Sequence, residues 1–233
     1  MNALLLAAGL GTRLRPITDT VTKCLIPIHG KPLLAWWMDL LEQHGVRRVL
    51  VNIHHLPSQV RDFAAAYRGS VQISLVHEEE LLGSAGTIYA NRGFFHGQEQ
   101  FFILYADNLT NVNLTALKNF NQRNPTPLTV GLFRPENPQN CGIAELDADG
   151  IIIGFEEKPK NPRGELASAG VFVGRPELLE YLQPTLPAPF DFGGHVMPRL
   201  IGKMNGTEIS GYLRDIGTHQ SLQQAEKEWS LAQ

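Results

Sequence analysis

The residues with the clearest chemical potential begin at Gly9. The string Gly9-Leu10-Gly11-Thr12-Arg13-Leu14-Arg15-Pro16 follows directly on an apolar run. A turn with two glycines can aim successive backbone N–H groups into one concavity without obstruction from Cβ atoms, which makes a nest for an anion such as phosphate. Arg13 and Arg15 bring mobile positive charge to the same turn. It is not a Walker loop, because no Gly-Lys-Ser/Thr follows, and it misses the dinucleotide fingerprint, because Leu14 stands at the last glycine position. On these residues alone, a Gly-rich turn carrying solvated arginines explains the string equally well.

Carboxylates supply the second set. Asp107 follows the apolar run Phe101–Ala106, and Asp215 lies in Tyr212-Leu213-Arg214-Asp215-Ile216-Gly217-Thr218. Two carboxylates brought from distant parts of the chain to strand ends are what Mg²⁺ between phosphates requires, since the ion takes hard oxygen ligands and keeps several waters. A plainer reading stays open: Asp107 caps a helix beginning near Asn113, and Asp215 is an ordinary turn residue. Glu78-Glu79-Glu80 reads first as a solvated loop, yet Gly83, Ser84 and Gly86 just beyond it permit close backbone approach to a flat ligand. Glu157-Lys158 reads as a surface ion pair. Cys24, without a histidine or helix N-terminus beside it, is a small apolar filler rather than a nucleophile. The neighbours His54 and His55 do not share a face, so they form no metal site, and Asn52 and His54 read as strand-end hydrogen-bonding groups.

These groups need a scaffold, and the flanking pattern describes one. Predicted strands at Ala3–Ala8, Val49–Ile53 and Val71–Val76 alternate with predicted helices at Leu33–His44 and Ser58–Tyr67, the cadence of βαβ units. Leu34, Trp37, Met38 and Leu41 recur at helical steps before Gly45, and Trp36 and Trp37 read as core packing. Open α/β sheets gather chemistry at the carboxyl ends of their strands, which is where Gly9 and Asp107 fall. Beyond Asn124–Pro127, strands are predicted at Leu128–Arg134, Gly142–Leu146, Ile151–Glu156 and Gly170–Val173, with a hairpin turn at Asp147–Gly150 and a helix at Pro176–Leu182.

A chain of 233 residues that is 43% hydrophobic can bury a full core. Its net charge of −3, without any block of like charges, argues against a nucleic-acid or membrane-surface partner. No uncharged apolar run approaches the roughly 20 residues of a membrane span. No Lys or Arg precedes the apolar N-terminus, as a secretory leader would require. Cys24 and Cys141, with neither Cys-x-x-Cys spacing nor a Cys/His cluster, fit a reducing compartment, so a cytoplasmic location is expected.

The whole string from Leu6 through Ala8, Gly9 and Thr12 to Thr18, followed by Lys23 and by Ile26-Pro27-Ile28-His29-Gly30-Lys31-Pro32-Leu33, closely resembles the signature of the sugar-1-phosphate nucleotidyltransferases. The resemblance implies an α/β, Rossmann-like fold with a mixed, mostly parallel sheet flanked by helices. It also implies a reaction that joins a nucleoside triphosphate to a sugar 1-phosphate and releases pyrophosphate. It puts the nucleotide at Leu6, Ala8, Gly9, Gly11, Thr12 and Arg13, with Arg13 and Lys23 as the catalytic charges. The base-recognition stretch maps to Glu78, Leu82, Gly83 and Ser84, and Asp107 and Asp215 match the metal-binding aspartates, implying Mg²⁺. Gly142, Glu157, Lys158 and Ala169 fall in elements similar to the sugar side, where Glu157 would accept hydrogen bonds from hydroxyls and Lys158 would neutralise the phosphate.

The resemblance further implies one domain over residues 1–233, with 1–125 mainly binding nucleotide and 126–233 mainly binding sugar. The form of Glu78–Gly86 is most similar to guanylyltransferases for mannose and related sugars, which favours GTP with mannose or heptose 1-phosphate. UTP- or dTTP-dependent hexose or amino-sugar enzymes are the alternative, and a non-catalytic nucleotide sensor is the distant one. The length suggests a single-function enzyme without a hexapeptide-repeat extension; homo-oligomerisation stays open. Five positions depart from the family's usual form. Thr22-Lys23-Cys24 replaces Pro-Lys-Pro, which predicts a looser loop around the amine. Ala106 stands where glycine is common, Ser168 where asparagine is common, and His195, read as a packing or sugar-contacting residue, where aspartate is usual.

Overall fold

The computed structural model describes residues 1–183 and 188–232, arranged as two compact units. The first gathers residues 1–81, 104–113 and the chain from 210 onward; the second takes 82–103 and 114–209. Strand Phe101–Tyr105 is divided, with 101–103 in the second unit and Leu104 and Tyr105 in the first.

In the first unit, strands Asn2–Leu6, Arg48–Ile53 and Gln72–His77 run parallel, with Asn2 opposite Arg48 and Arg48 opposite Gln72. Parallel neighbours need crossovers, and helices Leu33–Gln43 and Pro57–Ala66 provide them. The first of these helices buries Leu34, Trp37, Met38 and Leu41, and the chain leaves it through Gly45 at φ 69°. Trp36 sits apart from that stripe and packs edge-on against Trp229 of the last helix, His219–Ala232, at 5.3 Å. Arg214 fixes the same helix with a two-pronged pair to Glu228, at 2.8 and 3.1 Å, and the Tyr212 hydroxyl donates to Glu228 at 2.9 Å.

Two differences from the sequence reading bear on the site. The first strand ends at Leu6, not Ala8, because the Ala7 N–H leaves the ladder and donates to Asn52 Oδ1 at 2.7 Å. Asp107 caps no helix: strand Asn108–Thr110 follows it at once and pairs antiparallel with Leu213–Asp215, while the next helix starts only at Leu114. A ribbon of three residues a side is too short to leave a periodic signal in sequence, yet its register sets Asp215 opposite Asn108.

In the second unit, strand Leu166–Gly174 pairs antiparallel with Leu128–Phe133 and with Gly142–Leu146, and the latter with Ile152–Glu157. Met204–Glu208 joins Leu128–Phe133 in parallel. The strand predicted at Gly170–Val173 thus begins earlier, at Leu166. In the hairpin turn, Asp147 Oδ1 accepts the N–H groups of Asp149 and Ile151. Pro176–Leu182 winds as a 3-10 helix, not an α-helix, the Leu178 N–H closing on the Arg175 carbonyl. Among the described residues no helix is long and apolar enough to cross a membrane.

Candidate functional site

Three charged groups predicted from separate stretches meet within the first unit. The Lys23 ammonium donates to Asp107 Oδ2 at 2.7 Å and lies 3.6 Å from Asp215 Oδ1. The lysine side chain is 10% exposed, whereas the carboxylates of Asp107 and Asp215 keep 37% and 52% of theirs open. An amine on a buried stem thus presents its charge between two carboxylates that face solvent. Partial burial raises the Asp215 carboxyl above its ordinary range and the neighbouring Asp107 raises it further, while Lys23 and Arg13 pull it back.

The loop around Lys23 is fixed, which corrects the expectation of looseness. Lys23–Leu25 forms a 3-10 turn in which the Leu25 N–H donates to the Thr22 carbonyl at 2.9 Å. Gln59 braces it from the neighbouring helix, accepting the Thr22 N–H at 3.0 Å and donating to the Thr20 carbonyl at 2.7 Å. Side-chain hydrogen bonds thus supply the rigidity that prolines would otherwise give. Cys24 is the filler expected, since burial pushes its thiol up to about 11.

The glycine turn is built as an exposed loop anchored at both ends. Gly11 adopts φ 63°, a Cβ there would fall 2.7 Å from Thr18 Cγ2, and the Thr18 hydroxyl donates to the Gly11 carbonyl. His55 and His219 each donate an Nε2–H to the following segment, at the Thr18 and Arg15 carbonyls. Thr12 and Arg13 remain exposed, Ala8 is buried, and Leu6 ends the strand beneath. Glu78 is buried, and its carboxylate accepts from Asn52 Nδ2 at 2.9 Å. His54, assigned to strand-end hydrogen bonding, donates Nδ1–H to the Glu78 carbonyl.

The second unit holds the other predicted residues. Gly83 stands before helix Ser84–Ala90, and its neighbour Leu82 accepts the Phe190 N–H at 2.8 Å. Ser84 donates its hydroxyl to Asp191 Oδ2 at 2.9 Å and accepts the Phe192 N–H at 2.7 Å. Asp191 also caps the π-helical turn Phe192–Val196 through the Gly194 N–H. His195 is a packing residue here: it stacks on Phe190 at 5.4 Å and accepts the Asp191 N–H. Glu157 projects past Gly142 and Gly193, where a Cβ would come within 2.7 and 2.6 Å of its Oε2. Partial burial raises the Glu157 carboxyl, Lys158 at 3.6 Å opposes that, and Asp191 adds to it. Lys158 is exposed with φ 49°, and Ala169 is buried in the strand beside Gly142.

The donor set at Asp107 and Asp215 fits a hard divalent cation. Its protein ligands are oxygens only, carried by two carboxylates that raise each other's need for positive charge. Among the described residues no three His, Cys, Asp or Glu side chains gather as a metal site. An ion held there would take its remaining oxygens from substrate and water, the usual habit of Mg²⁺. Sequence reasoning did not find Gln59, since a lone glutamine in a helix carries no motif, and it gave Asp191 no role although the stretch Phe190–Pro198 resembles a segment of the family.

Known proteins resemble the chain in sequence and in fold. The model of the nucleotidyl transferase family matches residues 2–230. A UTP–glucose-1-phosphate uridylyltransferase of Synechocystis sp. is 32% identical over 86% of this chain and 55% of its own length. The catalytic subunit beta of a mannose-1-phosphate guanylyltransferase from Danio rerio is 31% identical over 93% of this chain and 61% of its own. The chain therefore spans somewhat over half the length of the curated relatives it matches. Crystalline HddC from Yersinia pseudotuberculosis, 22% identical, shares the fold with a TM-score of 0.81, covering 98% of this chain and 99% of that one.

Proposed function

The chain belongs to the nucleotidyl transferase family, and from that premise we propose that it transfers a nucleotidyl group from a nucleoside triphosphate to a sugar 1-phosphate. An oxygen of the sugar phosphate attacks the α-phosphorus, the bond to the β-phosphate oxygen breaks, and pyrophosphate leaves. The observation that carries this reading is the Lys23 ammonium set between Asp107 and Asp215. The nucleophile is already an anion near neutral pH, so the protein's work is orientation and charge neutralisation rather than proton abstraction. Arg13 and Lys23 offset charge on the phosphates, and the Gly9–Gly11 turn presents backbone N–H groups to them. Asp107 and Asp215 would hold Mg²⁺, which supplies Lewis-acid polarisation of the phosphate oxygens. Glu157 accepts hydroxyl hydrogen bonds from the sugar, and Lys158 meets its phosphate as a point charge.

For the base we favour guanine, and for the sugar a mannose- or heptose-type 1-phosphate, supported by the form of Glu78–Gly86 and by the guanylyltransferase relative. The uridylyltransferase relative supports UTP as the second choice. Pyrophosphate release, measured with Mg²⁺ across GTP, UTP, dTTP, CTP and ATP against mannose, heptose, glucose and amino-sugar 1-phosphates, tests both levels. One strong cell, with GTP and a manno-configured sugar expected, supports the reading. A silent grid beside measurable nucleotide binding would replace it with a nucleotide-sensing role.

The raised Glu157 carboxyl gives a pH test with opposite signs for binding and folding. Because the folded chain holds that proton more tightly than the unfolded one, this group's contribution to stability declines as pH rises through the window between the ordinary and raised values. Sugar binding, which needs the carboxylate, moves the other way. The KM for sugar 1-phosphate should climb on acidification at a pH above the ordinary glutamate range. Glu157→Gln should raise KM about tenfold at neutral pH, the loss of one charge-assisted contact, and remove that limb. A variant whose acid profile matches the parent's would exclude Glu157 from the sugar subsite.

A further inference from the structure

Two polar side chains buried in the first unit, Asn52 and Glu78, are bonded to each other, and the proposed reaction gives Asn52 no role. Asn52, at the end of strand Arg48–Ile53, is 3% exposed, and Glu78 is 5% exposed. Asn52 Oδ1 accepts the Ala7 N–H at 2.7 Å, and Asn52 Nδ2 donates to Glu78 Oε1 at 2.9 Å. Both ends of this bridge are fixed by backbone. The Glu78 N–H donates to the Ile53 carbonyl at 2.9 Å, and the Ala106 N–H donates to the Leu6 carbonyl at 3.0 Å, one residue before Ala7 and one before Asp107. Ala7 is where the chain leaves the sheet for the glycine turn, so its N–H would otherwise be buried without a ladder partner, a costly state.

We infer that Asn52 is a positioning residue that ties the start of the phosphate turn to Glu78 and so couples the base-recognition stretch to the phosphate-binding loop. The inference rests on the nucleotidyltransferase reading of that loop and deepens it. Glu78, expected to face the base, acts through Asn52 on the backbone that leads into Gly9 and Gly11. A shift of the Glu78 stretch on nucleotide binding is transmitted to the turn by two hydrogen bonds rather than by packing alone, because both bonds are directional and sealed from water.

Exchanging the amide and the carboxylate tests the bridge. Asn52→Asp keeps an oxygen for the Ala7 N–H but sets two carboxylates against each other in a buried space. Asn52→Asp with Glu78→Gln restores a donor–acceptor pair of reversed polarity. Calorimetric titration with inorganic tripolyphosphate, which carries neither base nor sugar, reads the loop alone. The single variant should bind tripolyphosphate about tenfold more weakly than the parent, and the exchanged pair should return to within about threefold. In turnover, KM for the nucleotide should rise in the single variant while KM for sugar 1-phosphate stays put. Should the single variant fail to fold, the exchanged pair decides: folded with near-parental affinity supports the bridge, folded with weak affinity overturns it. Unchanged affinity in the single variant overturns the bridge alone. A parent chain that does not bind tripolyphosphate overturns the phosphate reading of the loop and the bridge with it.

Discussion

Lys23→Met should lower kcat by about 100-fold to 1,000-fold, the range found when one preorganised charge contact at a reacting oxyanion is lost. Methionine can follow the buried path of the lysine stem, so the expected loss is chemical rather than structural. What the variant loses is the only cation bonded directly to Asp107 among the described contacts, and the one shared with Asp215. The two carboxylates then repel each other, at a cost of about 1 kcal/mol given how much of each side chain meets solvent. That repulsion has its own readout. In thermal melts without nucleotide, Mg²⁺ should raise the Tm of Lys23→Met by a few degrees more than that of the parent, because the ion takes the place of the missing ammonium. Lys23→Arg should not restore the rate, since a planar guanidinium cannot enter the gap as a compact point charge. Equal Mg²⁺ effects on parent and variant would remove Asp107 and Asp215 from the metal assignment.

The parts of this site that a sequence could disclose are those written in local pattern. The helix Leu33–Gln43 was legible because its apolar residues recur at helical steps, and the glycine turn because its residue types are unusual next to a strand. What brings Asp107 to Asp215 was not legible. A ribbon of three residues a side joins positions 108 and 215, and neither strand is long enough to show alternation. The same limit hid the bracing of Lys23. The substitution of Thr22 and Cys24 for prolines reads as a loss of stiffness, but the missing constraint is restored by Gln59 from a helix far along the chain. Glu78 illustrates a third case. Three consecutive glutamates suggest solvent on composition alone, yet the first is buried because Asn52 supplies a directed donor to its carboxylate, a pairing set only when parallel strands come into register.

Gly83→Ala should destabilise the second unit by about 2–4 kcal/mol and erode discrimination between bases, for reasons that can be separated. At φ 79° and ψ 163°, a region open essentially to glycine alone, an alanine bears strain of about 1–3 kcal/mol, and its Cβ would also fall 2.6 Å from both the N and the O of Phe190. Backbone atoms cannot rotate aside as a side chain can. Relief requires moving the Phe190 backbone, which breaks a local set of bonds: Phe190 N–H to the Leu82 carbonyl, and the Ala85 and Gly86 N–H groups to the Phe190 carbonyl. Those bonds shape the segment assigned to base recognition. The neighbouring Gly86→Ala is the internal control. It sits inside helix Ser84–Ala90, where alanine gains about 1 kcal/mol of helix propensity, and its Cβ would meet only Leu82 Cβ at 3.0 Å and Phe190 Cβ at 3.9 Å. The crowding against Leu82 offsets most of that gain, so Gly86→Ala should lie within about 1 kcal/mol of the parent and keep its base preference. Chemical denaturation of both variants, followed by nucleotide competition with GTP and UTP, separates the two outcomes. If both variants lost stability alike, the cause would be crowding of the helix as a whole, and the backbone contact between Gly83 and Phe190 would not be what shapes the base site.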